Sequence, residues 1–210
     1  MDFFCGRMSG NSARSLFALG EAGAKFDLHV LDTRNGENRS PAYLAVNPMG
    51  KIPALADGAF KLWESNAINW YVAEKHPAAH LVPGSAEGRA SVQRWLYFQT
   101  GHVTPACVTI FRATNARVRA FWNPPKESPG LDGARSELAR FLPVVESALD
   151  GREWLEGTFS LADIAFTPHL ALIAEGGFDF SPYPRLHAWL TRLVARPAWH
   201  QTWKLLFEEP

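Results

Sequence analysis

Cysteine is scarce in this chain, with only Cys5 and Cys107 in 210 residues. The two lack the close spacing of a metal site, and two thiols make a poor disulfide framework. A reducing compartment, the cytoplasm, is the expected location. Neither sign of charge is in excess: 21 Lys and Arg stand against 21 Asp and Glu. Nucleic-acid binders carry a basic surplus, so nucleic acid is not an expected partner. No apolar run approaches the ~18 residues of a membrane helix. The start, M-D-F-F-C-G-R-M, lacks the apolar core of a signal peptide. Neither a membrane nor export is therefore expected. What remains is ordinary globular composition, 47% hydrophobic and 20% charged, with room for one large domain or two small ones.

The first 80 or so residues are punctuated often, and the rest far less. Residues 2–5 form a short apolar run that reads as a buried strand. Residues 11–23 place Ala13, Leu16, Phe17 and Gly20 on one helical face, with Gly23 as a stop signal. Residues 26–31 read as a second strand, so the opening is a βαβ unit. Asn47-Pro48-Met49-Gly50 has turn chemistry. A strand over 54–56, the hairpin signal Asp57-Gly58 and a return strand over 60–63 follow. Ser65 then caps a helix whose apolar face is Ala67, Ile68, Tyr71 and Val72. Residues 76–85 read as a linker.

Beyond the linker the periodicity is helical. Residues 89–119 hold one long helix or two, kinked near Pro105. Residues 121–133 are a Pro/Gly-rich loop. Leu138, Phe141, Leu142, Val145 and Leu149 form one stripe despite Pro143, and Leu186, Trp189, Leu190, Leu193 and Val194 form another. Ser160-Leu161-Ala162-Asp163 fits a capping box with a structural role. Two domains are expected, α/β over residues 1–78 and all-α over 86–210.

Three segments, N-P-M-G-K-I-P-A-L, L-W-E-S-N-A-I and S-L-A-D-I-A, together resemble the cytosolic glutathione S-transferase family. The chain is identified as a bacterial-type member of that family, with serine or asparagine rather than tyrosine in the active site. The resemblance implies a thioredoxin-like N-terminal domain, an all-helical C-terminal domain and a homodimer. It also implies glutathione as co-substrate, a small hydrophobic electrophile as the second substrate, no metal, and detoxification as the broad role. Carried over, Glu64 and Ser65 would hold the γ-glutamyl end, Ser65 at a helix N-terminus that favours a carboxylate. Ile52 and Pro53 would be the cis pair whose backbone meets the bound cysteinyl residue like an added strand. Lys51 would approach the glycine carboxylate. Asn38 stands where some classes carry a histidine for that carboxylate; it can donate a hydrogen bond but brings no charge. Arg39 beside it is an alternative.

The implied chemistry requires a thiolate, whereas a free thiol has a pKa of about 8.5. A hydroxyl or amide donor and a helix N-terminus both favour the ionised form. The segment M-S-G-N-S-A-R after the first strand offers Ser9, Asn11 and Ser12, with Ser9 placed first; all three are also good helix-starting residues. It holds no tyrosine. Cys5 and Cys107 read as core, which argues against cysteine-type chemistry. Tyr97, Phe98, His102 and Thr104 are candidate walls for a second-substrate pocket between the domains. Besides conjugation, the scaffold admits an isomerase, dehalogenase or reductase, or a non-catalytic binding protein.

Overall fold

The computed structural model describes residues 1–124 and 129–208. It divides into two compact units, residues 1–81 with the C-terminal helix from 197, and residues 82–196.

In the first unit β1 (Asp2–Gly6) leads through α1 (Gly10–Glu21) to β2 (Asp27–Leu31). A short helix α2 (Pro41–Leu44), the hairpin β3 (Ala54–Asp57) and β4 (Phe60–Trp63), and α3 (Ser65–Lys75) follow. The sheet order is β2-β1-β3-β4, with β1 parallel to β2 and antiparallel to β3. The parallel pair is possible because α1 supplies the crossover. Phe3 sits opposite both Leu28 and Leu55 and is fully buried, as the two-residue period of a central strand requires. Gly23 takes φ +62° just past α1, so the expected stop is also the observed one. The hairpin turns at Asp57 and Gly58 as expected.

The buried face of α3 differs from the expected one. Ile68 and Val72 are buried, but their companions are Asn69 and Ala73; Ala67 faces solvent and Tyr71 is half-exposed. The half-exposed Tyr71 hydroxyl donates to the Asp57 carboxylate at 2.6 Å.

The second unit contains α4 (Ala86–Phe98), α5 (Thr104–Thr114), α6 (Ala116–Trp122), α7 (Leu131–Ala148), α8 (Leu161–Glu175) and α9 (Pro184–Val194). The break expected at Pro105 takes the form of a π-turn over Gln99–Val103 just before it. Pro105 has no N–H to return to the preceding turn, so the ladder widens there. A second break falls at Asn115, which accepts from Val118 N–H and donates to the Leu172 carbonyl. Of the expected loop over 121–133, Phe121 and Trp122 belong to α6 and Leu131 onward to α7, while 125–128 lie outside the described residues. Leu161 to Ile173 are buried on every side of α8, so α8 is the axis of this unit.

The capping box at Ser160 and Asp163 forms as expected and reaches further. The Asp163 carboxylate accepts from Ser160 N–H at 2.9 Å, Leu155 N–H at 3.0 Å and the Trp189 indole N–H at 2.9 Å. One buried side chain thus ties the start of α8 to the preceding loop and to α9.

The last helix, α10 (Pro197–Phe207), packs in the first unit, although the sequence grouped residues 86–210 together. Its buried face is Trp199, Thr202, Leu206 and Phe207. Trp199 meets Phe17 of α1 edge-on at 5.5 Å. Gly20 allows the approach: a Cβ there would lie 3.0 Å from the Ala198 Cβ.

Candidate functional site

Three segments of the first unit converge. The turn Arg7-Met8-Ser9 joins the carboxyl end of the central strand to α1. Ser9 is the N-cap of α1, its hydroxyl oxygen accepting from Ser12 N–H at 3.2 Å. That leaves the Ser9 O–H proton free in principle to donate elsewhere. Asn11 is exposed in the first turn. Ser12 is fully buried, and its oxygen accepts from Gly6 N–H at 3.3 Å, tying the strand to the helix. The structure therefore separates the three candidates: Ser9 and Asn11 reach the surface and Ser12 faces inward.

The second segment is the loop before β3. Asn47, 2% exposed, donates to the Lys51 carbonyl at 2.6 Å, and the Tyr43 hydroxyl donates to the same oxygen at 2.6 Å. Gly50 takes φ +60°, and a Cβ there would sit 2.9 Å from the Asn38 carbonyl oxygen, so the turn needs glycine. The Asn38 amide donates to the Gly50 carbonyl at 2.6 Å, and Arg39 donates to the Met49 carbonyl at 3.2 Å. Both side chains brace the turn. Lys51 is exposed. The Ile52–Pro53 bond is cis, as expected. Ile52 lies against Gly6, where a Cβ would come within 2.4 Å of its Cδ1. The second segment therefore abuts the first.

The third segment is the start of α3. Glu64 is exposed and holds φ +72°, a left-handed conformation rarely adopted by a residue with a side chain. Ser65 is 6% exposed at the first helical position. Beneath it lies Arg14 of α1, 2% exposed, whose guanidinium donates to the Ser65 hydroxyl oxygen at 3.0 Å. Ser15 donates to the Ser65 carbonyl at 3.2 Å. Burial pulls the Arg14 guanidinium down to about 9 while the Glu64 charge pushes it up, so it is charged at neutral pH. The Ser65 oxygen accepts from Arg14, and its rotatable hydroxyl proton can donate to a further acceptor. The helix N-terminus and the buried cation beneath it give the start of α3 a positive local field, the electrostatic character that suits a carboxylate.

Arg14 is a candidate side chain that periodicity did not reveal. A lone cation among Ala13, Leu16 and Phe17 was the available signal. Its depth comes from the packing of α1 against α3, which sequence spacing does not report.

The candidates in the second unit are not all brought together. Phe98 and His102 join one aromatic cluster, with ring centroids 5.6 Å apart and Phe141 at 5.8 Å and 4.9 Å from them. Phe98 lines a cavity of about 430 Å³ with Trp95 and Val144. His102 lines another of about 280 Å³ with Glu137 and Phe141. Tyr97 is 74% exposed. Thr104 begins α5 half-buried.

Cys5 and Cys107 are fully buried. Burial pushes the Cys5 thiol up to about 12 and Cys107 also upward, so neither is a nucleophile at neutral pH. Among the described residues, no cluster of three metal-ligating side chains forms, and no helix is long and apolar enough to cross a membrane.

The sequence matches the glutathione S-transferase N-terminal domain over residues 1–74 and the C-terminal domain over residues 108–197. It is 34% identical to the probable glutathione S-transferase GSTF2 of Oryza sativa subsp. japonica, covering 94% of this chain and 93% of that one. It is also 34% identical to glutathione S-transferase F10 of Arabidopsis thaliana, covering 91% of each. The structure of glutathione transferase URE2P6 from Phanerochaete chrysosporium, in complex with oxidized glutathione, superposes with a TM-score of 0.83 at 29% identity, covering 97% of this chain and 94% of that one. These relatives are plant and fungal, and a glutathione transferase family member from Pseudomonas fluorescens pf-5 also superposes, with a TM-score of 0.80 at 26% identity, covering 95% of this chain and 91% of that one. The thioredoxin-like unit, the helical unit and the matches over both place the chain in one group: it belongs to the glutathione S-transferase family.

Proposed function

We propose that the protein is a glutathione transferase in which a bound glutathione thiolate attacks an electrophilic carbon of a small apolar compound. The observation that carries this reading is the convergence of two helix N-termini, α1 and α3, beside the cis Ile52–Pro53 turn. The start of α3, with Glu64, Ser65 and the Arg14 cation beneath, suits the γ-glutamyl end: Glu64 for the ammonium and Ser65 for the carboxylate. The Ile52 backbone suits the cysteinyl residue as an added strand. Lys51 is the exposed cation proposed for the glycine carboxylate; Arg39 and Asn38 shape the turn below it. The sulfur then falls to the start of α1, where Ser9 or Asn11 donates to it. The relative crystallised with oxidized glutathione supports the ligand class.

Catalysis in this reading is positioning plus a lowered thiol pKa. Phe98, which lines a mainly apolar cavity, and His102, which lines a separate and more polar one, are the proposed alternative contacts for the electrophile. The buried thiol of Cys5 disfavours a cysteine-type reductase. Two buried free thiols also suit the cytoplasm.

The thiolate absorbance of bound glutathione, titrated from about pH 5 to about pH 9, tests the proposal. The expected band appears well below the free-thiol value of about 8.5, and Ser9→Ala or Asn11→Ala moves it upward. No band and no calorimetric binding would refute a glutathione site. Binding without a band would leave a binding protein without thiol activation.

A homodimer is part of the proposal. Phe60 is 47% exposed and Trp63 38% exposed on the edge strand β4, and Tyr97 and Val144 are exposed on the second unit. Burying such groups is a reason for two copies to associate. Light scattering is expected to give twice the chain mass; the single-chain mass at micromolar concentration would remove this part.

A further inference from the structure

The turn that carries Ser9 is held from two directions. Two local bonds, Gly6 N–H to Ser12 and Ser12 N–H to Ser9, shape it from within. Two others come from the opposite end of the chain. Met8 N–H donates to the Leu206 carbonyl at 3.0 Å, and the Arg7 guanidinium donates to the Glu208 carbonyl.

Each of these distant bonds satisfies a need on both sides. Leu206 lies in the last turn of α10, where carbonyls have no partner within the helix. Met8 lies in a three-residue turn with φ +52°, a conformation that costs a non-glycine residue energy and needs support from its surroundings. The Arg7 cation also faces the negative end of the α10 dipole. The support is firm: Leu206 and Phe207 are fully buried, and Trp199 packs on Phe17 of α1, the same helix whose first turn Ser9 caps.

The geometry points to a role for the end of α10 as a positioning element for thiol activation. Leu206 and Glu208 set the backbone of Arg7 and Met8, and that backbone aims the Ser9 hydroxyl and the first-turn N–H groups of α1. Arg7 is a positioning residue: it acts through the turn and touches no substrate. This inference rests on the proposed glutathione site, in which the sulfur lies at the start of α1.

The test separates activation from binding. Arg7→Met removes the donor, Arg7→Lys keeps a cation, and a chain ending at Lys204 removes the support altogether. S-methylglutathione has no ionisable thiol, so its affinity reports the tripeptide site and the fold alone. The bound-glutathione thiolate titration reports activation. Arg7→Met is expected to bind S-methylglutathione within about twofold of the natural chain while its bound thiol pKa rises by about half to one unit. Turnover should then fall three- to tenfold at pH 6.5 and recover near pH 9. Arg7→Lys is expected to restore most of the loss. If Arg7→Met keeps the natural thiol pKa, the end of α10 is packing only and the inference fails, whether or not the shortened chain folds. If the natural chain itself binds no glutathione, the functional proposal fails first and this one with it.

Discussion

Asp163→Ala is expected to lower the unfolding free energy by about 3–5 kcal/mol, the largest single loss foreseen for this protein. The carboxylate is fully buried and receives the Leu155, Ser160 and Trp189 N–H groups, with the Ser160 hydroxyl at 3.3 Å as a fourth donor. Removing it strands those donors away from water, at about 1–3 kcal/mol each. Against this stands the cost of burying a charge, which pushes the Asp163 carboxyl up to about 6 from 3.8, although its donors pull it down. That difference corresponds to about 3 kcal/mol at most. Several orphaned donors outweigh it, so the substitution destabilises. Urea unfolding of both chains measures the effect; a loss below about 1 kcal/mol would mean the donors find other partners.

The same group sets a pH dependence. Its folded pKa lies above its unfolded one, so between about pH 4 and pH 6 the folded state holds the extra proton. Its contribution to stability is therefore greatest below that window, falls as pH rises through it, and is constant above it. The gap in stability between the natural chain and Asp163→Ala is expected to narrow from pH 4 to pH 6.5. A gap that widens would show that the four donors, not desolvation, govern this carboxyl.

Arg14→Met is expected to weaken glutathione binding by about 10- to 100-fold while changing stability by no more than about 2 kcal/mol. The two effects separate because of where the charges lie. Glu64 is exposed, so removing the buried cation leaves no buried partner charge behind. A buried charge exchanged for an apolar chain is often close to neutral. Binding suffers because Arg14 orients Ser65 and supplies positive charge below the start of α3. Ser65→Ala, which keeps that charge but loses the hydroxyl, is expected to cost about tenfold. Calorimetric titration with glutathione checks both. Equal losses for the two variants would mean that Arg14 acts only by holding the hydroxyl; no loss for either would remove the start of α3 from the site.

Much of the first unit was legible because its signals are local. Asp57-Gly58 turns a hairpin through backbone chemistry carried by the two residues themselves, and Gly23 stops a helix for the same reason. Ser160 and Asp163 formed their capping box because both partners lie within one helical turn. The site was legible only in part. Motifs pointed to Ile52, Pro53, Glu64 and Ser65 as candidates and left Ser9, Asn11 and Ser12 open, because hydroxyls at 9 and 12 look alike in a sequence. They part company because Ser12 lies on the face of α1 that meets the strand, whereas Ser9 stands at the tip.

What required the tertiary structure is, in each case, a pairing across long separation. Arg14 is buried only because α1 packs on α3, and Asp163 gathers Trp189 only because α9 returns to α8. α3 buries Asn69 and Ala73 rather than Ala67 and Tyr71 because of how it packs on α1, and Tyr71, left half-exposed, bonds to Asp57 fourteen residues earlier. α10 leaves the helical unit and braces the turn at Met8 across 198 positions of sequence, from 8 to 206. The sequence by itself determined the family, the order of elements and the turns, since these rest on neighbours along the chain. The tertiary structure decided which polar side chains are buried and what they hold, since that depends on which surfaces meet.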